Sequence, residues 1–161
     1  TLDGDYIIST RLYKLIQENF NDFKLMQVVD SGNNPLDFYH FDNRVILPRI
    51  IEGSTGYVID RQCQTCKRNG YFTHAEIGNL EKSIPTIIHP YIFKYYKNDL
   101  EKHKTDLILK TWECFGPSNR IATGKYVIRY ARPLTIVSEK IKDIFEREKL
   151  NDIEYEQIIT E

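Results

Sequence analysis

No stretch of this chain approaches the roughly 20 consecutive apolar residues that a membrane-crossing helix requires. Its opening, Thr1-Leu2-Asp3-Gly4-Asp5, has neither the basic region nor the apolar core of a secretory signal. A soluble, cytoplasmic protein is expected. An excess of one charge is missing too, since 22 Lys and Arg stand against 23 Asp and Glu for a net charge of -1. No global field therefore draws the chain to nucleic acid or anionic lipid, and neither is expected as a partner; a charged partner must be met by a local patch. Cysteine is scarce, at three residues. An odd and low count excludes a disulfide-dense secreted scaffold and favours a reducing compartment. Nucleotide chemistry finds no support, because the glycines form neither G-x-G-x-x-G nor the P-loop spacing. Metal hydrolysis fares no better, as none of the four His residues forms an H-x-x-x-H or H-E-x-x-H pair.

What the chain does contain is a repeat at its two ends. Ile7-Ile8-Ser9 aligns with Ile136-Val137-Ser138, and Leu12, Leu15 and Ile16 with Ile141, Ile144 and Phe145. Asn21-Asp22-Phe23 then aligns with Asn151-Asp152-Ile153, and Gln27-Val28-Val29 with Gln157-Ile158-Ile159. Each copy reads as a short β-branched strand ending at a Ser able to cap the first orphan N–H groups of a helix. Apolar residues at the i, i+3, i+4 spacing give that helix one buried stripe, with Arg11, Lys14 and Gln17, or Lys140, Asp143 and Arg147, on the wet side. Asn-Asp supplies a turn, and a half-exposed strand closes the unit, Phe23 and Leu25 or Ile153 and Tyr155 on one side, Lys24 or Glu154 on the other.

The region between the copies is punctuated by turn signals at Ser31 to Pro35, Glu52-Gly53-Ser54 and Arg68-Asn69-Gly70. Strands are expected at Phe38 to Phe41, Arg44 to Leu47, Tyr57 to Asp60, Tyr71 to His74 and Tyr126 to Arg129. Pro85 and Pro90 break the apolar run from Ile84 to Tyr96, after which a helix is expected from about Lys97 to Trp112, burying Leu100, Leu107, Ile108 and Trp112. The prediction is an α+β fold in a single domain over residues 1–161. A mostly antiparallel, β-rich middle at about 31–133 is framed by strand-helix-strand units at about 5–30 and 134–160.

The sharpest local signal is Cys63-Gln64-Thr65-Cys66, two thiols across a tight turn that make half of a zinc knuckle. Cys63 and Cys66 are the candidate metal ligands, and a structural zinc would need further donors from Cys114, His74, His89, His40 or His103. Two other readings stand beside it: reduced thiols in a hairpin loop, and a redox pair, which is disfavoured because such pairs open a helix. Cys114, between Trp112 and Phe115, reads as a buried small hydrophobe, and no base is placed to activate it. No catalytic residue and no enzymatic activity are expected. Glu146, Glu148, Asp152, Glu154, Glu156 and Glu161 give the second copy an acidic outer face, either simply solvated or a decoy for a basic enzyme.

Three segments together, Tyr6-Ile7-Ile8-Ser9, Trp112-Glu113-Cys114-Phe115-Gly116, and Leu134 to Lys140 with Asn151 to Glu156, resemble bacterial polymorphic-toxin immunity proteins. The similarity is to the immunity families that include the double-CXXCG motif proteins, and it is strongest over about the last thirty residues. The chain departs from that pattern in having one Cys-x-x-Cys, without the Gly that follows it there, and Asn151-Asp152 where such proteins often show Gly. The resemblance implies a protein that binds and neutralises a cognate toxin effector without chemistry of its own, through the Tyr-rich middle or the acidic face. The alternative is a zinc-stabilised adaptor or nucleic-acid-binding module built on Cys63 and Cys66.

Overall fold

The computed structural model describes residues 6–20, 25–41, 45–104, 107–116, 121–123, 126–128, 131–150 and 153–161. The chain is an α+β protein whose strand pairs are mostly antiparallel. It divides into two compact units, Thr1–Arg44 with Val137–Asn151, and Val45–Ile136 with Asp152–Glu161.

In the first unit, β1 (Tyr6–Ser9) runs into α1 (Thr10–Asn19), and β2 (Met26–Val29) and β3 (Pro35–Phe41) follow. Ser9 caps α1 as its sequence position implies: it is extended, and its hydroxyl accepts the N–H of Leu12 at 3.3 Å. Both outer strands pair antiparallel to β3, so the sheet order is β1-β3-β2 and the β1-α1-β2 crossover steps over the strand that later fills the gap. Asp30 closes the β2–β3 turn by accepting the N–H groups of Gly32 at 2.8 Å and Asn34 at 2.9 Å. The second helix of this unit, α3 (Glu139–Arg147), is capped the same way, by Ser138 on the N–H of Ile141. Leu12, Tyr13 and Ile16 are buried on α1, and Ile141, Ile144 and Phe145 on α3. The expected stripe thus holds on α3 but is rotated on α1, where Tyr13 replaces Leu15, its ring stacked on Tyr39 of β3 with centroids 3.9 Å apart.

The second unit is built on a four-stranded sheet of order β12-β9-β5-β4, from β4 (Tyr57–Ile59), β5 (Tyr71–Thr73), β9 (Ile108–Phe115) and β12 (Arg132–Val137). Smaller pairs surround it: the hairpin of β6 (Ala75–Glu76) and β7 (Ile87–Ile88), the hairpin of β10 (Ile121–Thr123) and β11 (Tyr126–Ile128), and β8 (Phe93–Tyr95) parallel to β13 (Ile158–Thr160). Leu47, Phe93, Tyr95 and Leu109 form its buried core cluster. Each such side chain contributes roughly 1.5–3 kcal/mol relative to exposure. Around them Tyr57, Tyr71, Tyr91, Phe93 and Phe115 pack ring against ring at centroid distances of 4.9 to 6.4 Å. Much of the tyrosine content of the middle is therefore spent on its core.

Three expectations are corrected. The helix expected from Lys97 to Trp112 is only α2 (Lys97–Glu101), and Ile108 onward is the strand β9. Tyr96 makes no side-chain cap at the start of α2, while Leu109, Thr111 and Glu113 are buried at alternate positions of β9, a period of two that helical spacing cannot supply. Within the strand expected from Arg44 to Leu47, Ile46 makes a lone parallel bridge to Lys110. The terminal units share sequence, caps and element order but not assembly. The first puts both strands in one sheet, whereas β12 joins the four-stranded sheet and β13, begun only at Ile158, pairs with β8. The expected turns at Asn21-Asp22 and Asn151-Asp152, the strand residues Phe23 and Lys24, and Arg44 and Arg129 lie outside the described residues.

Candidate functional site

The loop joining β4 to β5 carries both Cys63 and Cys66, and its backbone is folded tightly on itself. Asp60 and Gly70 close its neck through the N–H of Asp60 on the Gly70 carbonyl at 2.8 Å. Inside the neck, the N–H of Lys67 reaches the carbonyl of Cys63 at 3.0 Å, and the side chain of Asn69 accepts the N–H of Cys63 at 2.9 Å. Lys67 takes up a left-handed conformation with φ of 59°. It stands immediately after the second cysteine, where a Gly would adopt that geometry without strain.

This turn aims backbone N–H groups at a sulfur. Cys63 receives hydrogen bonds from the N–H of Cys66 and then of Thr65, and its pKa is pulled down to about 7. A thiolate is the form that binds metal or attacks an electrophile. Cys114 behaves oppositely: burial pushes its thiol up, an effect that the positive charge of Arg68 partly offsets. All three cysteines are free thiols.

The loop is stitched to the strand that holds Cys114. The N–H of Cys114 bonds the carbonyl of Arg68, Gly70 donates to Gly116 at 3.1 Å, and Gly116 donates to Tyr71 at 2.8 Å. Arg68 also sends its Nε to the carbonyl of Trp112 at 2.9 Å, and its guanidinium lies over the Trp112 ring at 5.5 Å, with that of Arg49 at 3.9 Å. Directly beneath this surface is Glu113, 1% exposed. One carboxylate oxygen accepts the N–H of Ile50 at 3.1 Å, and the other has no hydrogen-bond partner among the described residues. Burial raises the pKa of Glu113, and the nearby charges of Arg49 and Arg68 act against that rise. The phenol of buried Tyr95 is raised as well, by burial first and by Glu113 second.

Cys63 and Cys66 thus share one tight turn, with Cys114 on the strand to which that loop is hydrogen-bonded. Two thiolates are half of a structural zinc set, and a Cys63 ionised near neutrality fits that role. The expected histidine donors go elsewhere. His74 and His89 stack on each other in the β6–β7 hairpin with centroids 4.3 Å apart. His103 follows α2, with its N–H on the carbonyl of Leu100, and His40 belongs to β3 in the other unit. The acidic residues are shared between the two units and partly neutralised: Glu146 pairs with Lys142, Glu148 with Arg11 and Glu161 with Lys94. Asp152 lies outside the described residues.

Two features go beyond the sequence reading. One is the buried Glu113, whose strand was expected to be helix. The other is the apolar exterior of the β6–β7 hairpin, where Ile77 is 85% and Leu80 97% exposed, with Ile84, Ile87 and Ile88 exposed beside them. Its sequence signal is the Ile84 to Ile88 run between turns, which reads as irregular because of Pro85. No protein-family model matches this chain, and no curated protein and no solved structure matches it either.

Proposed function

We propose that this chain is an immunity protein that binds and neutralises a cognate bacterial toxin effector in the cytoplasm, with no catalysis of its own. The partner class comes from the resemblance at Tyr6–Ser9, Trp112–Gly116, Leu134–Lys140 and Asn151–Glu156. The observation that carries binding is the aliphatic ridge of Ile77, Leu80, Ile84, Ile87 and Ile88 on one short hairpin. Large apolar side chains exposed together on one short segment of a polar chain mark interaction surfaces, and burial against a partner offsets their cost in water. The ridge supports the middle of the chain as the docking face over the acidic outer face, whose carboxylates already hold Arg11, Lys94 and Lys142.

The test is co-expression with the toxin encoded beside this gene. Wild-type protein should co-purify with it and protect the cells, and the Ile77→Asp/Leu80→Asp double variant should lose both while keeping its thermal transition. Failure of the wild type to bind or protect rejects the function, whereas an unimpaired double variant rejects the hairpin as the docking face. A second reading, a zinc-stabilised adaptor or nucleic-acid-binding module, draws on the Cys63 geometry alone. It requires stoichiometric zinc in purified protein and unfolding on chelation.

A further inference from the structure

Where β5 gives way to β6, His74 lies opposite His89, whose N–H bonds the His74 carbonyl at 2.9 Å, and Glu76 lies two residues further along the same strand. Residues i and i+2 of a strand share a face, and so does the cross-strand partner of i. One face of the ladder thus carries imidazole, carboxylate and imidazole. The two rings stack within 14° of parallel, and Nε2 of His89 stands 2.9 Å from a carboxylate oxygen of Glu76. Ligand atoms of all three lie within 4.8 Å of one another.

We propose that His74, Glu76 and His89 form a site for a divalent transition-metal ion of the zinc class, separate from the cysteine loop. Two imidazoles and one carboxylate suit zinc and its borderline neighbours, in contrast to the all-oxygen sets that select calcium or magnesium. Ligands about 2.1 Å from a tetrahedral zinc are roughly 3.4 Å apart. His89 and Glu76 are already inside that spacing, so the ion would take the place of their shared hydrogen bond; because an imidazole lone pair lies in its ring plane, one of the two half-buried, stacked rings would have to turn out of the stack to bring both nitrogens to the ion. The fourth position faces solvent. Such an ion would tie the two strands together at the base of a hairpin that has only two residues in each strand, a ladder too short to be stable by itself. It would thereby hold the aliphatic ridge in place.

Zinc alone is the probe, titrated into the Cys63→Ser/Cys66→Ser variant so that the thiols of the cysteine loop cannot contribute. One ion per chain should bind, and cobalt in its place should show no thiolate-to-metal charge-transfer band. Removing a ligand should cost at least the roughly 10–100-fold known for partners one shell further out, so His89→Ala and Glu76→Gln should each weaken binding by about that factor or more. Zinc should also slow amide hydrogen exchange in residues 75–88 of the Cys63→Ser/Cys66→Ser variant. Far-ultraviolet circular dichroism keeps a misfolded variant from being read as a loss of ligand. Absence of binding, affinity indifferent to His89→Ala in a folded protein, or exchange unchanged by zinc would overturn the site.

Discussion

The sulfur of Cys63 accepts the backbone N–H of Cys66, three residues along the chain, the largest of the hydrogen bonds that lower the pKa of this thiol. With its pKa drawn down to about 7, Cys63 is about half thiolate at neutral pH, whereas burial favours the thiol form of Cys114. Iodoacetamide should therefore label Cys63 with a half-maximal rate near pH 7, and Cys114 only under more alkaline conditions, as read by peptide mass spectrometry. The sign for stability follows from the depressed value. The folded chain releases this proton before the unfolded chain does, so the contribution is present above the unfolded thiol's value of about 8.5 and is lost as pH falls through about 7. Equal labelling of Cys63 and Cys114 at pH 7 would remove the basis for this distinction.

Glu113 titrates in the opposite sense. Its pKa is raised because its carboxylate is buried, so the folded state holds the proton more tightly than the unfolded one. Its stabilising contribution is complete below the ordinary carboxylate range and is lost as pH rises through the raised value. Glu113→Gln keeps an acceptor for the Ile50 N–H and should remove this loss on going from acid to neutral pH. Glu113→Ala strands that N–H and opens a cavity, costing about 2–4 kcal/mol. Urea unfolding at acid and at neutral pH separates the variants; an unchanged pH slope in Glu113→Gln would show that another group sets it.

Ser9 and Ser138 are equivalent in the sequence repeat and cap their helices through the same contact, hydroxyl to the N–H three residues on. Ser9→Ala and Ser138→Ala should each cost about 1 kcal/mol, and Asp at either position should restore most of it. For a chain of this size that is a fall of roughly 2–4 °C in thermal midpoint. A loss at one site alone would mean that the two helices do not contribute alike.

The caps, the β3, β4 and β5 strands and the α+β class were legible because each depends on local chemistry: Ser before an amphipathic run, or β-branched and aromatic residues between turns. The same locality explains what was not. Ile108 and Trp112 are four apart, so they share a face in helix and strand alike, and only their neighbours' burial on either side of β9 distinguishes the two. The repeat predicted two like units, yet which sheet receives β13 is decided by the distant β8. In the candidate site, Cys63 and Cys66 were visible from their spacing. The approach of Arg68 to Trp112, the burial of Glu113 and the pairing of His74 with His89 each join residues that no sequence spacing relates.

Gly70 is where the cysteine loop can be broken from outside. Its φ is 86°, a left-handed conformation that side chains rarely adopt, and a Cβ there would meet the Asp60 carbonyl oxygen at 2.4 Å and backbone of Gln62 at 3.0 Å. All of these are main-chain atoms at the loop neck, so the clash cannot be relieved by turning a side chain. Gly70→Ala should cost roughly 2–4 kcal/mol, the sum of left-handed strain and a displaced neck. Gly32→Ala is the control, because its Cβ would meet only the side chains of Asn34 at 3.0 Å and Asp30 at 3.3 Å, which can yield. Its cost should stay under about 1 kcal/mol. Because the neck sets the turn that directs N–H groups at Cys63, Gly70→Ala should also move the labelling midpoint of Cys63 upward from about 7, and Gly32→Ala should leave it alone. A stable Gly70→Ala protein with an unmoved midpoint would show that the turn around Cys63 holds its shape without the neck.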